Sequence, residues 1–245
     1  MELSILMYMK GVKMNYLQRV LAILAVVLLS GCAAKPIEIT ENYWTDSPQK
    51  TIAIAFVKPP AMGAHRSGAQ GLLDMAINEA VTDTVQGHIS TLNYDSFDKG
   101  SSYLVSHIEE KGAVAFVLPD YYESDEGDKL PKDSVKEGFF EYDLAKFKEL
   151  YSDATHLLVI QAKAAGTIRD YYGFIPLSSP RGYLYADVIM VDVSNNKIDL
   201  RQTIVEQVEL TSNAAWDDPE NGFPEISKIV EKALLNGRDR IIKLL

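Results

Sequence analysis

A single cysteine, Cys32, in 245 residues excludes a disulfide framework and leaves no partner thiol for a zinc site. The four histidines, His65, His88, His107 and His156, lack ligand spacings such as His-Glu-x-x-His, so structural roles are expected for them and no metal is. Positive charge is scarce as well. Lysine and arginine number 24 against 34 aspartates and glutamates, a net charge of −10, and no basic stripe is present. That balance argues against nucleic acid as a partner and against adsorption to anionic lipid. No apolar run reaches the ~20 residues needed to span a bilayer as a helix. Internal repeats and low-complexity tracts are also missing.

Catalytic signatures are equally sparse. Gly63 to Gly68 has the Gly-x4-Gly spacing of a phosphate-binding loop, but Ala69 and Gln70 stand where lysine and Ser/Thr should reach phosphate and Mg²⁺. The segment therefore reads as a connector. No Gly-x-Ser-x-Gly elbow occurs, and Ser101-Ser102 fits a helix start. Asp120, Glu123, Asp125, Glu126 and Asp128 crowd one stretch, where a solvated acidic face is the default and a loose Ca²⁺ cage the alternative. The expectation is a chain with no catalytic residues, no cofactor and no metal.

What is present lies near the start. VLAILAVVLL (Val20–Leu29) is ten unbroken apolar residues behind Arg19, the length of a secretory-signal core. Leu29-Ser30-Gly31-Cys32 follows directly. Small residues before the thiol let the chain lie extended in a peptidase groove, and the thiol is what a diacylglyceryl transferase needs, so the four residues resemble a bacterial lipobox. Cys32 is then the acylated first residue of the mature chain, and a diacyl plus an N-terminal acyl chain exceeds the two-signal threshold for stable attachment. Loss of the upstream residues, which carry Glu2, Lys10, Lys13 and Arg19, takes the net charge to −12. Met14 is a second candidate start, since residues 14–32 form a complete lipoprotein signal. Ala33 after the cysteine lacks the aspartate of inner-membrane retention, which favours the outer membrane, with the lipid anchor facing the periplasm.

Three parts are expected: a signal over 1–31, a lipidated tether over 32–50, and one α/β domain over 51–245. The tether has prolines, mixed charge and no periodicity, with a reach of at most about 60 Å. Buried strands are expected at TIAIAFV (51–57), AVAFVL (113–118) and HLLVIQAKA (156–164), each a short, β-branched-rich apolar run. Three- and four-residue apolar spacing predicts helices over 70–86, 101–111 and 143–153, the last with Leu144, Phe147, Leu150 and Tyr151 inward, and a C-terminal helix along Ile226, Ile229, Val230, Ala233, Leu234, Ile241 and Leu244. Strands 183–193 and 197–210 join at Ser194-Asn195-Asn196, where asparagines tolerate positive φ. Residues 120–142 read as an irregular excursion and 165–182 as a loop. Within that loop Tyr171, Tyr172, Phe174 and Ile175 are candidate contacts with a partner, the alternative being a lid folded over the core.

The lipobox, the early strand TIAIAFVKPP, SDATHLLVIQA and the hairpin ADVIMVDVSNNKIDLRQT together resemble the TolB-N-terminal-like or CsgG-like group of bacterial envelope lipoproteins, over about residues 50–210. The resemblance implies helices on a mixed β-sheet, α/β in class, with a C-terminal antiparallel hairpin and helix. Members of the group serve curli secretion, exopolysaccharide export and activation of a penicillin-binding protein. It thus implies a non-catalytic docking or assembly factor whose partners are the membrane, through Cys32, other envelope proteins and further copies of itself. A cell-wall synthase activator and an envelope hydrolase are the alternatives.

Overall fold

The computed structural model describes residues 35–45, 49–69, 83–99, 101–123, 128–211 and 216–245. Cys32, the signal segment, most of the expected helix over 70–86 and the acidic residues Asp125 and Glu126 lie outside the described residues.

Thr51–Phe56 forms β1 and Val114–Val117 forms β3, parallel neighbours in one mixed sheet. β1 has no solvent face: Ile52, Ala53, Ile54 and Ala55 are fully buried, as a continuous apolar run demands. Its other neighbour is β4 (His156–Tyr172), also parallel, and beyond it β6 (Arg181–Asp192) and β7 (Ile198–Val208) run antiparallel. The order is β3-β1-β4-β6-β7, with short β2 (Gly63–Ser67) and β5 (Ile175–Pro176) paired to the far half of β4. The fold is therefore the expected mixed sheet with helices. β6 and β7 alternate buried with partly wet positions, and Asn196 takes a φ of +63° in their turn, as its side chain permits.

One face of the sheet carries the larger core. The 21-residue helix Pro224–Leu244 lays Ile226, Ile229, Val230, Ala233, Leu234 and Ile241 on it, with Leu104 and Ile108 of the helix Ser101–Glu110 alongside. Against the opposite face pack Phe140, Leu144 and Phe147. The excursion over 120–142 is thus partly a cover for that face: Phe140 is buried, and its N–H donates to the Asn196 carbonyl at 2.8 Å. At the helix Ala145–Leu150, Leu144 and Phe147 of the expected inward stripe are buried and Tyr151 packs, partly buried, against the same core with its ring 5.2 Å from that of Phe147. Leu150, the last helical residue, is the exception at 75% exposed.

Two expectations need correction. β4 does not end at Ala164; it continues to Tyr172, passing a register shift between Ala162 and Ala164, so most of the expected loop over 165–182 is strand. That extension gives residues 63–67 an edge to pair with, and the expected connector is a parallel strand. The second correction concerns the tether. Residues 36–45 pack onto the domain: Ile37 exchanges both backbone hydrogen bonds with Arg201 on β7, each 2.9 Å, and Tyr43 is 7% exposed. Ile37, Ile39, Tyr43 and Trp44 supply the apolar surface that holds this strap down.

Candidate functional site

Beyond Ile168 and Arg181, the last residues that β4 and β6 share, β4 runs on to form a narrow tip with β5. Tyr171 pairs with Pro176 and Tyr172 with Ile175, around Gly173 at φ +58°. Alternation along a strand sends successive side chains to opposite faces. Tyr171 accordingly turns inward and is 6% exposed, whereas Tyr172 (69%), Phe174 (56%), Ile175 (52%) and Leu177 (65%) stand in solvent. Tyr171 is therefore removed from the candidate contacts. Leu177 belongs with the remaining three, because it sits in the same exposed cluster.

The tip is braced. Arg181 grips Asp170 through two guanidinium nitrogens at 2.9 Å each, and these hydrogen bonds hold the Asp170 carboxyl below the usual carboxylate range. Arg169 Nε donates to the Ser178 carbonyl at 2.6 Å, and the Leu177 N–H donates to the Asp170 carbonyl at 2.8 Å. Register places Arg66 of β2 opposite Arg169 of β4, and each guanidinium lies 5.8 Å from the centre of the Tyr171 ring, with Trp216 5.2 Å from Arg169. Such cation–π stacking holds an aromatic ring in place. A depression of about 390 Å³ opens here, bounded by these groups with Phe174 and His65. The arrangement offers a braced apolar knob beside a guanidinium-lined hollow.

A second hollow, about 760 Å³, lies at the opposite end of the strands and was not anticipated from sequence. His156 is 8% exposed there, its Nδ1 2.8 Å from Thr155 Oγ1 and its Nε2 3.5 Å from an Asp199 oxygen. Thr155 Oγ1 also accepts from the Thr51 N–H (2.9 Å) and lies 3.2 Å from the Thr51 carbonyl, so the hydroxyl serves the β1–β4 join rather than standing free as a nucleophile. Tyr43 packs edge-on to His156 with its hydroxyl 3.1 Å from Met190 Sδ. Burial, then the nearby Asp199 and Asp192 carboxylates, push that hydroxyl far above the ordinary tyrosine range. Nothing local in sequence signals this cluster, since Tyr43 and His156 are 113 positions apart.

Asp192 closes the same end. Burial raises its pKa, but hydrogen bonds from the Ser194 hydroxyl (2.6 Å) and backbone N–H (2.8 Å), the His156 charge and the Asn195 amide together outweigh this and leave it lowered. A depressed folded pKa means stability that is fully present above the unfolded value of about 4 and lost as pH falls through the folded one. Asp192→Asn is therefore expected to be less stable than the parent at pH 7, with the gap closing below about pH 4. Urea melts across that range measure it; a gap independent of pH would contradict the assignment.

The other histidines are also engaged. His65 Nε2 lies 3.1 Å from the Ala165 carbonyl and His88 Nε2 2.8 Å from Ser227 Oγ, and His107 is half-buried. Among the described residues, no three histidine, cysteine or carboxylate side chains gather where they could hold a metal ion, and no helix is long and apolar enough to cross a membrane.

No family model matches the chain, and no curated protein does. Solved structures similar to it include protein XCC0632 from Xanthomonas campestris, at 12% identity over 84% of this chain and 87% of that one, TM-score 0.35. Another is lipoprotein GNA1162 from Neisseria meningitidis, at 14% identity over 76% and 97%, TM-score 0.29. A third is a PelC dodecamer from Paraburkholderia phytofirmans, at 8% identity over 77% and 85%, TM-score 0.25.

Proposed function

We propose that this chain is a non-catalytic bacterial envelope lipoprotein that docks onto other envelope proteins from the outer membrane. The observation that carries the reading is Leu29-Ser30-Gly31-Cys32 directly behind a ten-residue apolar run, with the only thiol of the chain at the acylation position. The exposed tip supports the docking half. Tyr172, Phe174, Ile175 and Leu177 are large, apolar and solvent-facing within six positions, on a braced hairpin that loses little freedom on binding. Supporting secretion, export or surface-structure assembly is the role in which such a contact serves. Self-association is part of the proposal, and native mass spectrometry of the folded unit at high micromolar concentration tests it, a strict monomer counting against.

A photo-crosslinking residue placed at Phe174 in the living cell tests the docking contact. The expected result is one discrete adduct, abolished by Ile175→Glu in the same chain. Leu150, more exposed than Phe174 but on a helix away from the tip, is expected to give none. Matching adducts from both positions would reject the tip as the contact. Because its side chain faces water, Ile175→Glu should itself shift stability by less than about 0.5 kcal/mol.

A further inference from the structure

We propose that the hollow behind the tip is a binding site for a carboxylate carried on a flat or apolar body, a role that needs neither the acyl anchor nor a docked partner. Strand register assembles it. β2 and β4 run parallel, so Ala64 stands beside Thr167 and Arg66 beside Arg169, and residues two apart along β4 share a face. Thr167, Arg169 and Tyr171 therefore line the hollow together, and Phe174 and Trp216 bound it with apolar ring surface.

Arg169 is half-buried and held in one orientation. Its guanidinium lies 5.8 Å from the centre of the Tyr171 ring and 5.2 Å from that of Trp216, and its Nε donates to the Ser178 carbonyl at 2.6 Å. Stacking engages the faces of the guanidinium and the Nε bond one of its edges, which leaves the terminal edge with its two NH2 groups. That edge matches the two oxygens of a carboxylate, taken through parallel hydrogen bonds. Nearby Arg181 shows the contrast. It is met by Asp170 at 2.9 Å through each of two nitrogens, whereas among the described residues Arg169 pairs with no aspartate or glutamate, in a chain of net charge −10. A buried cation is costly unless an anion answers it, and Arg66 directly opposite on β2 adds a second like charge that weakens the strand pair until one does.

The lining selects the kind of anion. Asp217 on the rim repels a second negative charge, which favours a singly charged carboxylate over a phosphate dianion. The rings of Tyr171, Phe174 and Trp216 call for an apolar body behind the carboxylate, and buried Thr167 adds a hydroxyl on the Arg169 face. A volume of about 390 Å³ suits a small acid, at the lower end of the ~300–1,000 Å³ of small-molecule clefts.

Phenylacetate, its neutral counterpart phenylacetamide and phenyl phosphate are the probes, titrated into the full-length lipoprotein purified in detergent. The chain has two tryptophans, so Trp44→Phe leaves Trp216 as the reporter at the hollow. Phenylacetate is expected to change the Trp216 emission saturably, with a midpoint of about 1 mM as suits so small a ligand, and the other two to bind roughly tenfold more weakly. Arg169→Gln should weaken phenylacetate roughly tenfold and leave phenylacetamide unchanged, a split that misfolding would not produce. The comparison of acid with amide needs no variant at position 169. Equal binding of acid and amide, a preference for phenyl phosphate, or no saturation by about 10 mM phenylacetate would each overturn the proposal. The source of the carboxylate is read in isolated membranes with a photo-crosslinker at Tyr172, which lies outside the hollow: an adduct abolished by phenylacetate assigns the carboxylate to the docked protein, an adduct that persists assigns it to a free acid, and either supports the site. Absence of any adduct counts against the docking reading and leaves the titration untouched.

Discussion

Gly166→Ala is expected to cost about 3 kcal/mol or more, enough to unfold a marginally stable domain. Two effects coincide there. Gly166 adopts a φ of +123°, where an L side chain is strained by roughly 1–3 kcal/mol, and a Cβ would also drive into the carbonyl oxygen and amide of Gly63, its register partner on β2. Gly112 separates the two. Its φ is +91° but a Cβ there would meet nothing within 4 Å, so Gly112→Ala should lose only the conformational part, about 1 kcal/mol. Equal losses in urea melts of the two variants would show that the close approach of β2 to β4 is not a constraint on the fold.

Cys32→Ser is expected to remove the protein from the outer-membrane fraction, because the unacylated, uncleaved precursor keeps its apolar signal segment at the membrane of insertion. Each acyl methylene buried in the bilayer contributes about 0.8 kcal/mol, so three chains exceed what any surface contact of an acidic domain could replace. With serine at the acylation position the signal is neither acylated nor cleaved at that point, and no other thiol exists to substitute. Fractionation followed by immunoblotting reads the change, and unchanged retention in washed outer membranes would mean that something other than this residue holds the chain.

Sequence patterns that depend on near neighbours were legible. The unbroken apolar run 51–57, the hairpin about Asn195-Asn196 and the heptad-like stripe of the C-terminal helix each carry their structure locally, and each stands where expected. What escaped depends on distant partners. Residues 63–67 carry a glycine, two basic side chains and no apolar alternation, so their strand exists only because β4, a hundred positions later, offers an edge. The far half of β4 is hidden in the sequence because Ala164, Ala165 and Gly166 have low β-propensity, which ladder pairing on both sides overrides. The strap resembles a linker because it has no strand or helix periodicity and lies between prolines at 36 and 48, yet Ile37, Ile39, Tyr43 and Trp44 are the visible clue to its packing. At the tip, the aromatic cluster was plain in sequence, but Tyr171 was sorted from Tyr172 only once a strand, rather than a loop, fixed which ring points inward.

Intact-mass and amino-terminal analysis of the protein extracted from its native membrane tests the central claim most directly. The account predicts a blocked chain that starts at Cys32 and is heavier than its polypeptide by a diacylglyceryl group and one further acyl chain. A chain that keeps residues upstream of Cys32, or one whose Cys32 reacts as a free thiol, would contradict it.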